Sequence, residues 1–330
     1  MPAAPYDHAV VAEDLVKTYP GDVRALDALC LSIAPGDIFG LLGPNGAGKT
    51  TATNILTTLA VPDSGRALVA GLDVQADPRG VRRRIGVVSQ GSSADPAASG
   101  YDNLLLQARL HGIAAPAAKR RAAGLLDRFD LTAAAKRKAR TYSGGMRRRL
   151  EMALGLIGAP DVLFLDEPTT GLDPESRTAM WEIIRDLSRD RGATVVFTTH
   201  YLDEADLFAD RVAIIDNGAV VAEGTPARLK DDLGGDAIHI ELRHPLDPIE
   251  TESIRRTLED LPEINNVQIS GRRVSTRTND SAAAVPLLLG KLIDVPVAAV
   301  TAAKPSLDAV YLRHAGRRFA EANQVEGAAK

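Results

Sequence analysis

Gly43-Pro44-Asn45-Gly46-Ala47-Gly48-Lys49-Thr50 has the spacing G-x-x-x-x-G-K-[ST]. It follows a short apolar run, Ile38 to Leu42, and precedes a helical pattern. That is the setting in which such a loop binds phosphate. Glycines let the backbone curl so that successive N–H groups face inward, and the helix start adds partial positive charge. Lys49 offers a mobile cation to β- and γ-phosphates, and Thr50 a hydroxyl to Mg²⁺. Thr51, the next residue, joins the expected nucleotide-binding set.

Val162-Leu163-Phe164-Leu165-Asp166-Glu167 supplies the complementary half of such a site. Four apolar residues read as a central strand with two carboxylates emerging at its C-terminal end. Asp166 is expected to hold Mg²⁺, and Glu167 to polarise an attacking water. An apolar strand ending in Asp-Glu says little alone. Beside a phosphate loop it points to nucleoside triphosphate hydrolysis.

Tyr142-Ser143-Gly144-Gly145-Met146 selects the class. Ser143 lies 23 residues before Asp166 and opens an expected helix, Arg147 to Leu156. Here the sequence resembles the ATP-binding cassette proteins, whose signature is usually written LSGGQ. The rest of the set follows in family order. Tyr19 stands where an aromatic stacks on adenine. Gln90 follows the strand Ile85 to Val88, in the place of the lid glutamine, which also approaches the metal. Asp173 lies in the loop after the Asp-Glu pair, and His200 ends the strand Thr194 to Thr198, in the place of the switch histidine. Tyr142 and Met146 depart from the common Leu and Gln, while Ser143-Gly144-Gly145 is intact. The run Tyr-Ser-Gly-Gly-Met-Arg-Arg-Arg-Leu, together with Pro305 to Tyr311, resembles the daunorubicin/doxorubicin resistance-type ATP-binding subunits.

The resemblance implies two cassettes packed head to tail as a homodimer, with ATP and Mg²⁺ at each interface. Lys49, Thr50, Asp166, Glu167, Gln90 and His200 would come from one chain, with Glu167, His200 and Gln90 in catalytic roles. Ser143, Gly144, Gly145 and Asp173 would come from the other. It further implies a separate integral membrane permease, and export of a hydrophobic drug, antibiotic or lipid.

These motifs need an α/β frame. The first ~230 residues alternate short apolar runs with helical patterns. The expectation is a P-loop NTPase cassette over 1–230, a mixed sheet core with a helical subdomain at about 91–158, where Tyr101 to Gly112 and Ala117 to Phe129 read as helices. After Asp231-Asp232-Leu233-Gly234-Gly235, a strand, helix, two strands, helix and strand suggest a small ferredoxin-like α+β domain over 236–318. Residues 319–330 read as a flexible tail.

Composition closes off other classes. The chain has 330 residues, 45% hydrophobic and 25% charged, ordinary for a folded protein. Its net charge of −4 gives no reason to expect a nucleic-acid partner. The one cysteine, Cys30, excludes an internal disulfide framework and reads as a small core residue. No run reaches the ~18 apolar residues of a membrane-spanning helix. The first 20 residues carry Asp7, Glu13 and Asp14 and do not read as a signal peptide. The expected location is the cytoplasmic face of the membrane, held there by a partner.

Three rivals are weaker. A soluble cassette ATPase uncoupled from transport remains the alternative. Its translation types carry two cassettes per chain, and its repair types insert long coiled coils between their motifs. A GTP switch would need an Asn-Lys-x-Asp run, and none is found. A silent regulatory module fits poorly with intact Lys49, Asp166, Glu167 and His200.

Overall fold

The computed structural model describes residues 6–89, 91, 93–293, 295–317 and 319. They form two compact units that meet in sequence between Thr225 and Pro226.

The first unit carries two sheets. Val10–Tyr19 and Val23–Ile33 form a long antiparallel hairpin, continued by Ser64–Val69 and Leu72–Asp73. In Val23–Ile33 the two-residue period buries Leu29 and Leu31 and turns Cys30 outward. Cys30 is therefore exposed, contrary to the core reading, and its Sγ lies 3.3 Å from Asp14 Oδ1.

The second sheet runs Ala219–Gly224, Arg211–Asp216, Ile38–Leu42, Thr194–Thr199, Val162–Asp166, Ile85–Val88. All neighbours are parallel except the first pair. Strands buried on both faces of a parallel sheet carry continuous apolar runs, and every residue of Ile38–Leu42 is buried. Register then decides where function collects. Leu42 pairs with Thr199, and Asp166 pairs with Thr198. The phosphate loop, the Asp166-Glu167 turn and His200 thus leave the sheet at one edge, the C-terminal ends of the strands.

Gly100–Leu110, Ala115–Arg128 and Gly144–Leu156 pack together as the helical part. Ala108, Ala118, Ala122 and Ala153 are buried, so small side chains admit close approach between the helices. The first helix starts one residue earlier than expected because the Ser99 hydroxyl accepts from Asp102 N–H at 3.1 Å. The third starts at Gly144 rather than Arg147, because Ser143 caps it.

The second unit holds an antiparallel sheet in the order Asn265–Ser270, Arg273–Thr278, Asp236–Leu242, Val297–Ala303. Numbered within the unit this is the 2-3-1-4 order of a ferredoxin-like β-α-β-β-α-β unit. Pro248–Glu259 and Ser281–Lys291 complete it, with a core of Ile238, Ile240, Leu258, Val274 and Leu288. The short helix Pro226–Asp231, expected in the cassette, belongs here: it packs on Leu307–Ala315 and buries Leu229. Phe319, the first residue of the expected tail, is only 5% exposed. Residues 320–330 lie outside those described.

Candidate active site

The strand Ile38–Leu42 ends in the phosphate loop, and the helix Lys49–Leu56 continues from it. Two glycines are sterically required. A Cβ on Gly43 would sit 2.4 Å from Ile215 O, and one on Gly48, at φ 111°, would sit 2.5 Å from Ala25 O. Gly218 N–H donates to Ala47 O at 2.9 Å and braces the loop from the neighbouring turn. Pro44 and Ala47 are buried, while Asn45 and Gly46 face outward. Lys49 is 7% exposed; its ammonium donates to Gly43 O at 2.5 Å and Pro44 O at 2.8 Å, across the loop. Thr50 is exposed and Thr51 half-buried at the helix start.

Two strands away, Asp166 Oδ1 accepts from the Thr198 hydroxyl at 2.6 Å. This orients one carboxylate oxygen and leaves the group at the strand end. Glu167 then turns the chain with φ 46°, a left-handed conformation unusual for a residue with a Cβ. Its N–H donates to Thr198 O at 3.2 Å. Its carboxylate is gripped from two sides: His200 Nδ1 is 3.0 Å from Oε1, and the Thr170 hydroxyl donates to Oε2 at 3.0 Å. Burial pushes the pKa of Glu167 up. The hydrogen bond and charge of His200, the Thr170 hydroxyl and the charge of Lys49 outweigh it, so the carboxyl is held below its usual range. A half-buried, ionised carboxylate with a histidine partner is suited to accept a proton from water.

The signature segment is built on a helix cap. Ser143 Oγ accepts from Met146 N–H at 3.2 Å, and a Cβ on Gly144 or Gly145 would meet nothing within 4 Å. Bare backbone therefore fronts this helix start. Tyr142, the departure from Leu, is 4% exposed, and its hydroxyl donates to Ala134 O at 2.8 Å. It anchors the segment inside the helical part, where a Cβ on Gly100 would strike its hydroxyl oxygen at 2.3 Å. A cleft of about 510 Å³ lies between this helix and the catalytic turn, lined by Gly144, Arg147, Glu151, Glu167, Thr170 and Leu172.

The remaining expected residues are distributed. Tyr19 ends the strand Val10–Tyr19, 38% exposed, with Lys17 Nζ 5.8 Å from its ring centroid. Asp173 caps the helix Pro174–Arg191, accepting from Ser176 N–H at 3.0 Å and Ser176 Oγ at 2.7 Å, and these bonds lower its pKa. Gln90 lies outside the described residues.

Sequence reasoning missed two residues. Glu204 is 4% exposed and accepts from Thr169 Oγ1 at 2.5 Å and Thr199 Oγ1 at 3.2 Å, tying the loop after Glu167 to the strand before His200. Its only signal was its place in the first turn of a helix just past His200. Arg148, one of three consecutive arginines, is buried beneath the catalytic turn.

The donor set suits Mg²⁺. The Thr50 hydroxyl and Asp166 carboxylate are hard oxygen donors, and no cluster of three or more His, Cys, Asp or Glu side chains forms a cage among the described residues. Mg²⁺ is commonly held in this way, by one or two protein oxygens together with substrate phosphates.

Comparison with known proteins places this geometry. Residues 26–170 match the family described as ABC transporter. The chain is 44% identical over 324 residues to the daunorubicin resistance ATP-binding protein DrrA2 of Streptomyces coeruleorubidus, covering 97% of this chain and 99% of that one. It is 42% identical over 284 residues to the Nod factor export ATP-binding protein I of Burkholderia thailandensis, covering 82% and 91%. Among solved structures, a dimeric ATP-binding cassette in a post-hydrolysis state with ADP and Pi superposes with TM-score 0.61 at 26% identity, covering 66% of this chain and 98% of that one. The cbiO1 protein of Clostridium perfringens, part of the ABC transporter complex cbiONQ, gives TM-score 0.63 at 26% identity, covering 78% and 97%. With a phosphate loop, an Asp166-Glu167 strand end and a capped Ser143-Gly144-Gly145 segment on this fold, the chain belongs to the ATP-binding subunits of ABC transporters, in the daunorubicin/doxorubicin resistance family.

Proposed function

We propose that this chain hydrolyses MgATP as one of two identical cassettes and thereby drives export of a hydrophobic compound through a separate membrane permease. The observation that carries the catalytic part is the Glu167 carboxylate, ionised and clamped between His200 and Thr170 at the same sheet edge as Lys49. In this reading the N–H groups of Gly46, Gly48, Lys49 and Thr50 cradle the β- and γ-phosphates. The Lys49 ammonium turns from its loop carbonyls to the phosphate oxygens, and Thr51 follows toward the α-phosphate. Thr50 and Asp166 would hold Mg²⁺, which would neutralise charge on the transferring phosphoryl group, and Gln90 keeps the metal-directed role that the family resemblance implies for it.

Glu167 orients water in line with the γ-phosphate and accepts its proton, while His200 fixes the carboxylate. Tyr19 stacks on adenine. The start of the Gly144–Leu156 helix, with bare Gly144 and Gly145 and the Ser143 hydroxyl, offers a second anion site. It faces outward and serves the nucleotide of the opposing cassette, head to tail, with Asp173 beside it. ATP thus supplies the charge that joins the pair, and hydrolysis removes it.

Support for the export part is the near full-length likeness to drug resistance and Nod factor export subunits. No helix among the described residues is long and apolar enough to cross a membrane. In this reading the permease holds the chain at the cytoplasmic face. The test is co-expression with a candidate permease in drug-sensitive cells, measuring daunorubicin retention. Wild type should lower retention and Glu167→Gln should not. Equal retention in both, with the complex assembled, would leave a soluble ATPase uncoupled from transport.

A further inference from the structure

Arg148 lies one turn into the signature helix, with its side chain 9% exposed. A guanidinium has five N–H donors. Here they meet five acceptors. Nε donates to Pro168 O at 2.8 Å. One terminal nitrogen donates to Ser89 O at 2.9 Å and Glu151 Oε2 at 3.1 Å. The other donates to Asp166 O and Glu167 O, both at 3.0 Å. Three of these acceptors are the consecutive carbonyls of the catalytic turn. They converge on one side chain because Glu167 adopts φ 46°, which reverses the local sense of the backbone. The fourth, Ser89 O, lies one residue past the lid strand Ile85–Val88 and just before Gln90 in sequence. The fifth, Glu151, is itself 9% exposed and supplies the counter-charge.

We propose that Arg148 is a positioning residue that locks the Glu167 turn and the end of the lid strand onto the signature helix, with Glu151 as its counter-ion. Two consequences follow. Glu167 is held in the left-handed conformation that aims its carboxylate, and Arg148 does this through protein acceptors that take up all five of its donors. The helix whose start serves one nucleotide is tied by the fork to the turn that serves the other. Lysine could not substitute: it has three donors on a single nitrogen, against a planar fork reaching four carbonyls.

The inference rests on the hydrolytic reading above, and the experiment separates the two. Arg148→Lys keeps the buried charge opposite Glu151, which Arg148→Ala would strand. In the full chain, Arg148→Lys should lower kcat at saturating ATP at least tenfold and leave affinity for a fluorescent ATP analogue within threefold. The phosphate loop and Tyr19 do not depend on the fork. Glu151→Gln keeps an oxygen acceptor and loses only the counter-charge; its kcat should fall about three- to tenfold with affinity unchanged. That milder variant decides the matter if Arg148→Lys does not fold. A kcat within twofold of wild type in both variants overturns the proposal, as does an affinity that falls in step with kcat, since that marks a general structural loss. Glu167→Gln is the parallel control. If it retains turnover, the hydrolytic reading fails and takes this inference with it. If it is inactive while the fork variants are normal, only this inference fails.

Discussion

His200 Nδ1 lies 3.0 Å from Glu167 Oε1, so the first residues beyond two neighbouring parallel strands share a contact. The contact follows from register. Asp166 pairs with Thr198, which brings the following residues of both strands over the same edge. It means that the carboxylate suited to activate water is oriented before substrate arrives.

Glu167→Gln should therefore keep ATP binding and nearly abolish turnover. The amide preserves shape and can still meet the Thr170 hydroxyl, but it cannot accept a proton. Loss of a general base typically lowers rate ~10²–10⁴-fold. Steady-state phosphate release and nucleotide titration measure the two halves. Turnover within twofold of wild type would remove Glu167 from the catalytic role.

The pH profile should report the same contact. Burial raises the pKa of Glu167, and His200, Thr170 and Lys49 lower it by more. The active form is the carboxylate, so activity fades as pH falls through this lowered value. In His200→Ala the burial stays and the largest opposing influence goes, so the pKa rises. The acid limb of kcat should then move to higher pH, in addition to any loss at the optimum. An acid limb unmoved in His200→Ala would mean that another group controls it.

Much of this site was legible because phosphate chemistry constrains residue type and spacing together. Gly43 and Gly48 are confined by Ile215 O and Ala25 O, and those constraints leave a pattern in sequence. Apolar runs such as Ile38–Leu42 mark buried parallel strands for the same reason. Arg148 was not legible. Four of its five partners are backbone carbonyls, from 18 to 59 residues away, and a carbonyl has no side-chain signature. Its neighbours Arg147 and Arg149 are the same residue type, so composition does not single out the one that is buried. The helix Pro226–Asp231 was misplaced because its partner, Leu307–Ala315, follows about 80 residues later and only folding joins them.

Assembly is testable by mixing chains. If Ser143 serves the opposing nucleotide, a Ser143→Arg chain and a Lys49→Ala chain should be inactive alone and partly active together. Random pairing gives half mixed dimers, each with one site in which Lys49 and Ser143 survive on opposite chains. Recovery of roughly a quarter of wild-type turnover is expected for independent sites. Activity no higher than the mean of the separate mutants would instead favour sites built within one chain.

The last prediction concerns the second unit. The two units have separate cores, one drawn from residues between Ala9 and Ile215 and one from residues between Ile238 and Leu292. Every proposed nucleotide contact lies in the first. A chain ending at Thr225 should therefore bind an ATP analogue within about threefold of the full chain. It should also melt lower, because it lacks Phe319, which groups with the first unit at 5% exposure. Burial of a side chain of that size is worth about 1.5–3 kcal/mol. A chain ending at Gly234 should bind equally well and behave worse in solution. It retains Leu229 and Leu233, which are 7% and 6% exposed in the whole protein, but loses the Leu307–Ala315 helix that packs against the Pro226–Asp231 helix carrying Leu229. Light scattering should show more aggregation for the longer fragment than for the shorter one. That ordering is the informative part, since chain length alone would favour the longer piece. Lost nucleotide binding in the shorter chain would show that the second unit completes the site. Transport in cells co-expressing the permease should fall for both fragments, because a folded unit that supplies none of the phosphate chemistry acts through assembly. Unchanged transport would make it a passive appendage.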